Sequence, residues 1–156
     1  MAEHTSDSST ASTDAALLER VQVSLARQGM MQHLGVRLVQ VAPGRVVLAL
    51  PYSDRVTQQQ GGFHGGAMGA LADIAGGYAG LTVAPEGMEV TTAEYKINFL
   101  ASFSSGELQA TGQVVRAGKR LIVTTAEVRH VAPDGTVSDC ALMQQTLVPV
   151  PRAYAY

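Results

Sequence analysis

The length, composition and charge of the chain set limits on what it can be. Its 156 residues fit one compact domain with a substantial core, and 46% of them are hydrophobic against 15% that are charged. A formal net charge of -2 gives no global attraction to nucleic acid or to an anionic membrane, so neither is expected as a partner. An anionic ligand would have to be held by a few local cations.

The ends of the chain and its single cysteine indicate a cytoplasmic protein. Residues 1–13 are rich in serine and threonine and carry no signal-peptide pattern, which predicts a disordered tail. Residues 14–150 are expected to form the domain, and residues 151–156 a C-terminal tail. Cys140 has no partner for a disulfide and no metal-ligand spacing, so we expect it to be a buried small side chain and expect no metal site.

The predicted elements are helices at the start and in the middle of a β-rich chain. Asp14 is expected to cap a helix that runs to about Gln28. A second, strongly apolar helix is expected from near Gly65 to Ala84, where Pro85 stops it. Strands are predicted at 36–41, 45–50, 93–99, 108–117, 121–130 and 137–148.

The apolar helix is the element that decides the architecture. It contains one charge, Asp73, whose insertion into a bilayer would cost roughly 2.5–3.5 kcal/mol, so a membrane span is not expected. Tight turns between long strands imply an antiparallel sheet. A helix with no solvated face must be covered on both sides, so we predict an α+β fold with the sheet wrapped around the helix and a second subunit on its other side.

One strand has a clear two-residue period. Ala93, Tyr95, Ile97 and Phe99 alternate with polar or charged residues over 93–99. Successive side chains of a strand point to opposite faces, so these four are expected to form one buried face.

Asp73 is the first candidate for chemistry. It is the only carboxylate between Asp54 and Glu86, and no neighbour in sequence can pair with it. Burying such a group is costly unless it is hydrogen-bonded, which makes it a candidate functional residue. A structural aspartate, bonded to nearby amides or facing a water-filled interface, explains the same residues equally well.

The start of the same helix is the second candidate. The sequence His64-Gly65-Gly66 places glycine amides where the first helical N–H groups have no intrahelical acceptor. The N–H of Gly65 or of Gly66 could therefore form an oxyanion site for the carbonyl of a substrate. The alternative is that these glycines only permit tight packing under the sheet.

Helix geometry keeps these two candidates apart within one chain. Gly65 and Asp73 are eight positions apart, which is about 12 Å along one helix. Both cannot act on one carbonyl in the same chain. If both are catalytic, we expect them to come from different subunits across a dimer interface.

Two stretches carry a resemblance to a known family. QQQGGFHGGAMGALADIAGGYAGL, followed by TTAEYKINFLASFSSGE, resembles the hot-dog thioesterases of the phenylacetate-degradation type, which are related to the arthrobacter-type 4-hydroxybenzoyl-CoA thioesterases. The similarity extends over residues 35–148. It implies the hot-dog fold, hydrolysis of an acyl-CoA thioester, and dimers that pair into homotetramers.

The resemblance also implies a role for individual positions. Asp73 matches the catalytic acid, as nucleophile or as general base for water, and Gly65 matches the glycine whose N–H polarises the carbonyl. His64 precedes that glycine as in the family. Thr91 falls where many members have a serine or threonine that places the attacking water. Gln58 falls where several members have an asparagine, so it keeps an amide with a longer reach.

Coenzyme A would be part of the substrate, and no other cofactor is expected. Its phosphates require cations near the mouth of the site. Lys119 and Arg120, after the Gly118 turn, are the best candidates, although a solvated turn explains them equally well.

The expected function is hydrolysis of an aromatic or medium-chain acyl-CoA. No GxSxG motif is present, so an α/β-hydrolase is not expected. A hot-dog hydratase would show a D-x-N-x-x-H stretch, which the sequence lacks. The alternative from another class is a non-catalytic module that binds or senses acyl-CoA.

Overall fold

A computed structural model describes residues 7–154, with side chains from residue 15 onwards. The helices are α1 (Asp7–Ala26), α2 (Gly29–Leu34) and α3 (Gly65–Leu81), with a short 3-10 helix at Asp54–Val56. The strands are β1 (Arg37–Ala42), β2 (Arg45–Pro51), β3 (Met88–Phe99), β4 (Glu107–Ala117), β5 (Ile122–Val131) and β6 (Val137–Pro151).

The strands form one antiparallel six-stranded sheet that curls around α3. Its strand order is β1-β2-β4-β5-β6-β3, and α3 contacts strands across the sheet from β2 to β3. The helix and the sheet come close together where glycine replaces a larger residue. A β-carbon at Gly112 of β4 would lie 2.0 Å from the Ala75 carbonyl oxygen of α3. The predicted α+β architecture, with a sheet wrapped around a central helix, is confirmed.

The helix α3 buries most of its surface but leaves one face partly open. The residues of that face recur at intervals of three or four, as one side of a helix requires. They are Gly66, Ala70, Asp73, Ile74 and Gly77. A second subunit is expected on this open face.

Two boundaries of helices differ from the prediction. The first helix begins at Asp7 instead of after Asp14, so residues 7–13, assigned above to a disordered tail, belong to α1. An aspartate in the first turn of a helix is favoured by the helix dipole, and alanine at position 11 has a high helix propensity. The central helix ends at Leu81, ahead of Pro85, and Thr82 is its C-cap.

The prediction of one buried face on β3 is wrong in this chain. Tyr95 is 45% exposed and Phe99 is 53% exposed. The strand lies at the edge of the sheet, and a bulge between Thr92 and Glu94 interrupts its alternation. The exposed rings lie over the first turns of α3, where the Phe99 ring would be 3.4 Å from a β-carbon at Gly65.

Two smaller predictions can be checked directly. Cys140 is buried in β6, and burial raises the pKa of its thiol to about 11. Within residues 7–154, no helix has both the length and the hydropathy needed to cross a membrane.

Candidate active site

The carboxylate of Asp73 is half-buried and is held by side chains from two strands of the sheet. The Thr92 hydroxyl of β3 donates to Asp73 Oδ1 over 2.7 Å, and Gln145 Nε2 of β6 donates to the same oxygen. Among the described side chains no donor reaches Oδ2. One carboxylate oxygen is therefore fixed by two hydrogen bonds, and the other is available to a ligand.

Gln145 is itself held in place. It is fully buried, and its Oε1 accepts a hydrogen bond of 2.9 Å from the Thr124 hydroxyl of β5. Its Nε2 also lies 3.1 Å from the Asp73 carbonyl oxygen and 3.0 Å from Thr92 Oγ1. Asp73 is thus the helix end of a hydrogen-bond network that runs into the sheet.

A cavity opens beside Asp73 on the side of α3 that faces α1. Apolar walls come from Ile74, Leu81 and Val90, and the space next to Gly77 is open because no atom lies within 4 Å of a β-carbon placed there. The remaining lining is polar and includes Ser24, Gln28, Tyr78, Glu89 and Thr92. The cavity therefore has apolar walls with Asp73 and Thr92 among its polar lining.

A second polar cluster of this cavity is built on Tyr78. Gln28 Nε2 donates to the Tyr78 hydroxyl over 2.7 Å, and that hydroxyl donates to Ser24 Oγ over 3.2 Å. Burial raises the pKa of Tyr78 to about 12, against the lowering effect of its hydrogen bonds to Ser24 and Gln28. The phenol is therefore protonated at neutral pH.

The start of α3 presents one amide to a ligand. His64 is the N-cap, and its Nδ1 accepts the Gly66 N–H over 2.8 Å. The Gly65 N–H has no acceptor among the described residues, as its position in the first helical turn predicts. Of the two glycine amides considered from the sequence, Gly65 is the one free to donate.

Gln58 shares a surface cleft with Gly65 and lines no cavity with Asp73. Gln58 and Gly65 line one open cleft together with Phe63, Met68 and Phe99. None of these residues lines the cavity of Asp73. The predicted residues thus fall into two groups, Gln58 with Gly65 at the start of α3 and Asp73 two turns further on.

Of the two adjacent threonines in β3, the structure brings Thr92 to Asp73. Thr91 is exposed, whereas the Thr92 hydroxyl is bonded to the carboxylate. The residue that the family pattern suggested is therefore next to the one in contact. Neighbouring residues of a strand point to opposite faces, so only one of them can face the helix.

Lys119 and Arg120 are exposed in the connection between β4 and β5, where they line an open surface depression. That connection lies at the same end of the sheet as Thr92, because Ile122 pairs with Leu147 and Leu147 pairs with Thr92. The two cations line a different depression from Asp73 within one chain.

Sequence reasoning missed Thr92 and Gln145. A signal for Gln145 was present, because it lies two positions from Met143 and from Leu147 and so shares the inward face of β6 with them. A polar side chain in such a position needs a buried partner. Which residue provides that partner depends on the tertiary fold.

Comparisons with known proteins agree with this geometry. The thioesterase superfamily profile matches residues 60–135. A thioesterase family protein of Silicibacter pomeroyi has a similar crystal structure, with a TM-score of 0.82 and 36% identity over 87% of this chain and 99% of that chain.

Relatives in sequence are also named as hydrolases. A protein of Saccharolobus solfataricus named as an esterase is 36% identical over 100 residues, which cover 64% of this chain and 71% of that relative. The 1,4-dihydroxy-2-naphthoyl-CoA hydrolase of Listeria monocytogenes is 32% identical over 92 residues, covering 58% of this chain and 74% of that enzyme. The chain belongs to the thioesterase superfamily, and its sheet wrapped around a central helix is the hot-dog fold.

Proposed function

We propose that the protein hydrolyses acyl-CoA thioesters, with Asp73 as the catalytic carboxylate. The observation that carries this proposal is the asymmetry of that carboxylate: Oδ1 accepts from Thr92 and Gln145, while Oδ2 has no donor among the described side chains. A carboxylate with one fixed oxygen and one available oxygen suits a general base or a nucleophile. A purely structural aspartate would have no need of an available oxygen beside a cavity.

The cavity beside Asp73 supports an aromatic or medium-chain acyl group. Its apolar walls, Ile74, Leu81 and Val90, suit a ring or a short chain, and Gly77 leaves space for it. The Listeria relative is named for an aromatic CoA ester, which favours the same class of substrate. This is also the class expected for the phenylacetate-degradation subfamily, to which we assign the chain.

A second copy of the chain would complete the site. Gly65 and Asp73 lie about 12 Å apart along α3 and line different cavities. Two α3 helices that face each other antiparallel about a two-fold axis would bring Asp73 of one subunit toward Gly65 of the other. The exposed rings of Tyr95 and Phe99, on the edge strand β3, give such a contact apolar area. We therefore propose a homodimer, or a dimer of dimers.

The chemical step follows from these positions. The Gly65 N–H polarises the thioester carbonyl and stabilises the oxyanion that forms there. Asp73 either takes a proton from an attacking water or attacks the carbonyl itself, in which case water then cleaves the mixed anhydride. The carbon–sulfur bond breaks in both routes, and the products are a carboxylic acid and the coenzyme A thiol. We propose that Gln58, which lines the same cleft as Gly65, contacts the acyl carbonyl or the water.

A thiol-release assay over a panel of CoA esters tests this proposal. Acetyl, hexanoyl, benzoyl and hydroxybenzoyl esters would be compared for the native chain, for Asp73→Asn and for the exposed carboxylate control Asp54→Asn. We expect the native chain to hydrolyse at least one of these esters and Asp54→Asn to keep the native rate. Asp73→Asn should lower kcat by at least about a hundredfold, the low end for loss of an acid–base group. Tight binding of the esters without turnover in the native chain would instead establish a binding module.

A further inference from the structure

Gln145 is a buried polar residue, and both polar atoms of its side chain make hydrogen bonds. It is fully buried on the inward face of β6, between Met143 and Leu147. A buried amide without hydrogen bonds destabilises a protein, so its position demands compensation. Here Oε1 accepts from Thr124, and Nε2 lies within hydrogen-bonding reach of Asp73 and Thr92.

The helix leaves a gap for this side chain. A β-carbon at Gly76 would lie 2.1 Å from Gln145 Oε1 and 2.9 Å from Thr124 Oγ1. Any side chain larger than hydrogen at position 76 would therefore displace the amide. Gly76 thus leaves the space through which the Gln145 side chain reaches Asp73.

We infer that Gln145 is a positioning residue for Asp73: with Thr124 it fixes Oδ1, so that Oδ2 is the oxygen presented to substrate. This inference rests on the proposed thioesterase function and adds a residue to it. The oxygens of Asp73 set the direction of the amide, because the carbonyl oxygen and Oδ1 can only accept and therefore require Nε2 on their side. The Thr124 hydroxyl then donates to Oε1 and holds the amide in that direction. The reversed amide would place Oε1 against a carboxylate oxygen, where two acceptors repel.

The chemical consequence is a carboxylate that does not need to reorient during the reaction. A reacting group already held in its productive geometry avoids the cost of ordering it in the transition state. Loss of one donor from an ionised carboxylate also makes its protonation easier. Removal of Gln145 should therefore lower kcat and move the acidic limb of the pH–rate profile to higher pH.

The primary test is Gln145→Met, which keeps the length of the side chain and removes the amide. We expect kcat to fall roughly tenfold or more, as for loss of a hydrogen bond to a charged group, with KM nearly unchanged and the acidic limb displaced upward. Glu89 and Tyr78, which line the same cavity, are present in both proteins. A displaced acidic limb of the pH–rate profile would therefore report the loss of the Gln145 amide.

Two further variants separate positioning from packing. Gly76→Ala alters neither Asp73 nor Gln145 but drives the amide away, and alanine is the better helix former; it should reproduce the kinetic change. Met143→Leu changes a buried side chain on the same face of β6 and keeps the Gln145 amide. We expect its effect to be confined to the melting temperature, with kcat and the acidic limb unchanged. If Gln145→Met does not fold, Gly76→Ala and Thr124→Val decide the question.

The outcomes are distinct. A lowered kcat and a displaced limb in folded Gln145→Met and Gly76→Ala, absent from Met143→Leu, support the inference. An unchanged profile in the folded variants, or a lowered kcat with an unmoved limb, overturns it and leaves Gln145 a structural residue. A native chain that hydrolyses no CoA ester would instead refute the proposed function, which the same assay shows before any variant is measured.

Discussion

The hydroxyl of Thr92 donates a hydrogen bond of 2.7 Å to Oδ1 of Asp73, across 19 positions of sequence. Its neighbour Thr91 is exposed. The family pattern pointed to Thr91, and the two residues are chemically identical. They therefore form a matched pair in which only the position on the strand differs.

Thr92→Val and Thr91→Val test which threonine serves the reaction. Valine has nearly the same shape as threonine and removes only the hydroxyl. We expect Thr92→Val to lower kcat by roughly tenfold, because one of two donors to the carboxylate is lost, and Thr91→Val to leave it within about twofold. Steady-state kinetics with one CoA ester decide the matter, and the reverse order of effects would return the role to Thr91.

The sequence was sufficient to single out Asp73 as a candidate functional residue and to predict the α+β architecture, because each depends on local information. A long apolar helix followed by long β-rich runs with tight turns between them indicates an antiparallel sheet around a helix. A lone carboxylate in that helix is visible without knowing its partners. The assignment of catalytic roles to Asp73, Gly65, His64 and Gln58 remains a prediction.

Tertiary contacts were beyond the same reasoning. The bulge between Thr92 and Glu94 shifts the alternation of β3, so a pattern with strict period two could not say which threonine faces the helix. The pairing of Gln145 with Asp73 joins residues 72 positions apart. The exposure of Tyr95 follows from the edge position of β3, which depends on the order of strands in the sheet.

Filling the cavity beside Asp73 should change substrate preference. A β-carbon at Gly77 meets no atom within 4 Å, so Gly77→Leu would project into the cavity without a clash near the backbone. We expect kcat/KM for benzoyl-CoA to fall at least tenfold, with much less change for acetyl-CoA. Gly77→Ala is the control, and its kcat/KM for benzoyl-CoA should lie between the values of the native chain and of Gly77→Leu. An equal loss on both esters would mean that the acyl group binds elsewhere.

Lys119 and Arg120 are predicted to contact the phosphates of coenzyme A. The double change Lys119→Ala with Arg120→Ala should raise KM for CoA esters by roughly five- to tenfold. Esters of N-acetylcysteamine, which lack the nucleotide, should be affected much less. The comparison is made at low and at high salt, because screening weakens contacts between exposed charges. Equal effects on both esters would count against a contact with the phosphates.

The buried phenol of Tyr78 predicts a loss of stability in alkali. Burial raises the pKa of Tyr78 from 10.0 to about 12, so the folded state holds this proton more tightly than the unfolded state. Its stabilising contribution is complete below pH 10 and is lost as pH rises toward 12. Urea unfolding at pH 9 and pH 11 should show a decrease of roughly 1 kcal/mol that Tyr78→Phe lacks. The same decrease in both proteins would assign it to other groups.

Subunit complementation tests whether the site is shared. Asp73→Ala removes the carboxylate, and Gly65→Pro removes the N–H proposed to polarise the carbonyl. Proline is tolerated at the first position of a helix, and His64 before it is extended, with φ -70° and ψ 133°, as a residue preceding proline should be.

Each variant alone should be inactive, and their mixed dimers should regain one intact site. In the proposed dimer, with its two α3 helices antiparallel, a mixed dimer pairs the unaltered Gly65 of one subunit with the unaltered Asp73 of the other. After random exchange of equal amounts, half of the dimers are mixed, and each carries one of two sites, so activity should return to about a quarter of the native value. Exchange is verified with two affinity tags, and Asp73→Ala mixed with itself gives the baseline. A verified exchange that leaves the mixture inactive would mean that one subunit holds a complete site, and that Gly65 and Asp73 do not act on the same thioester.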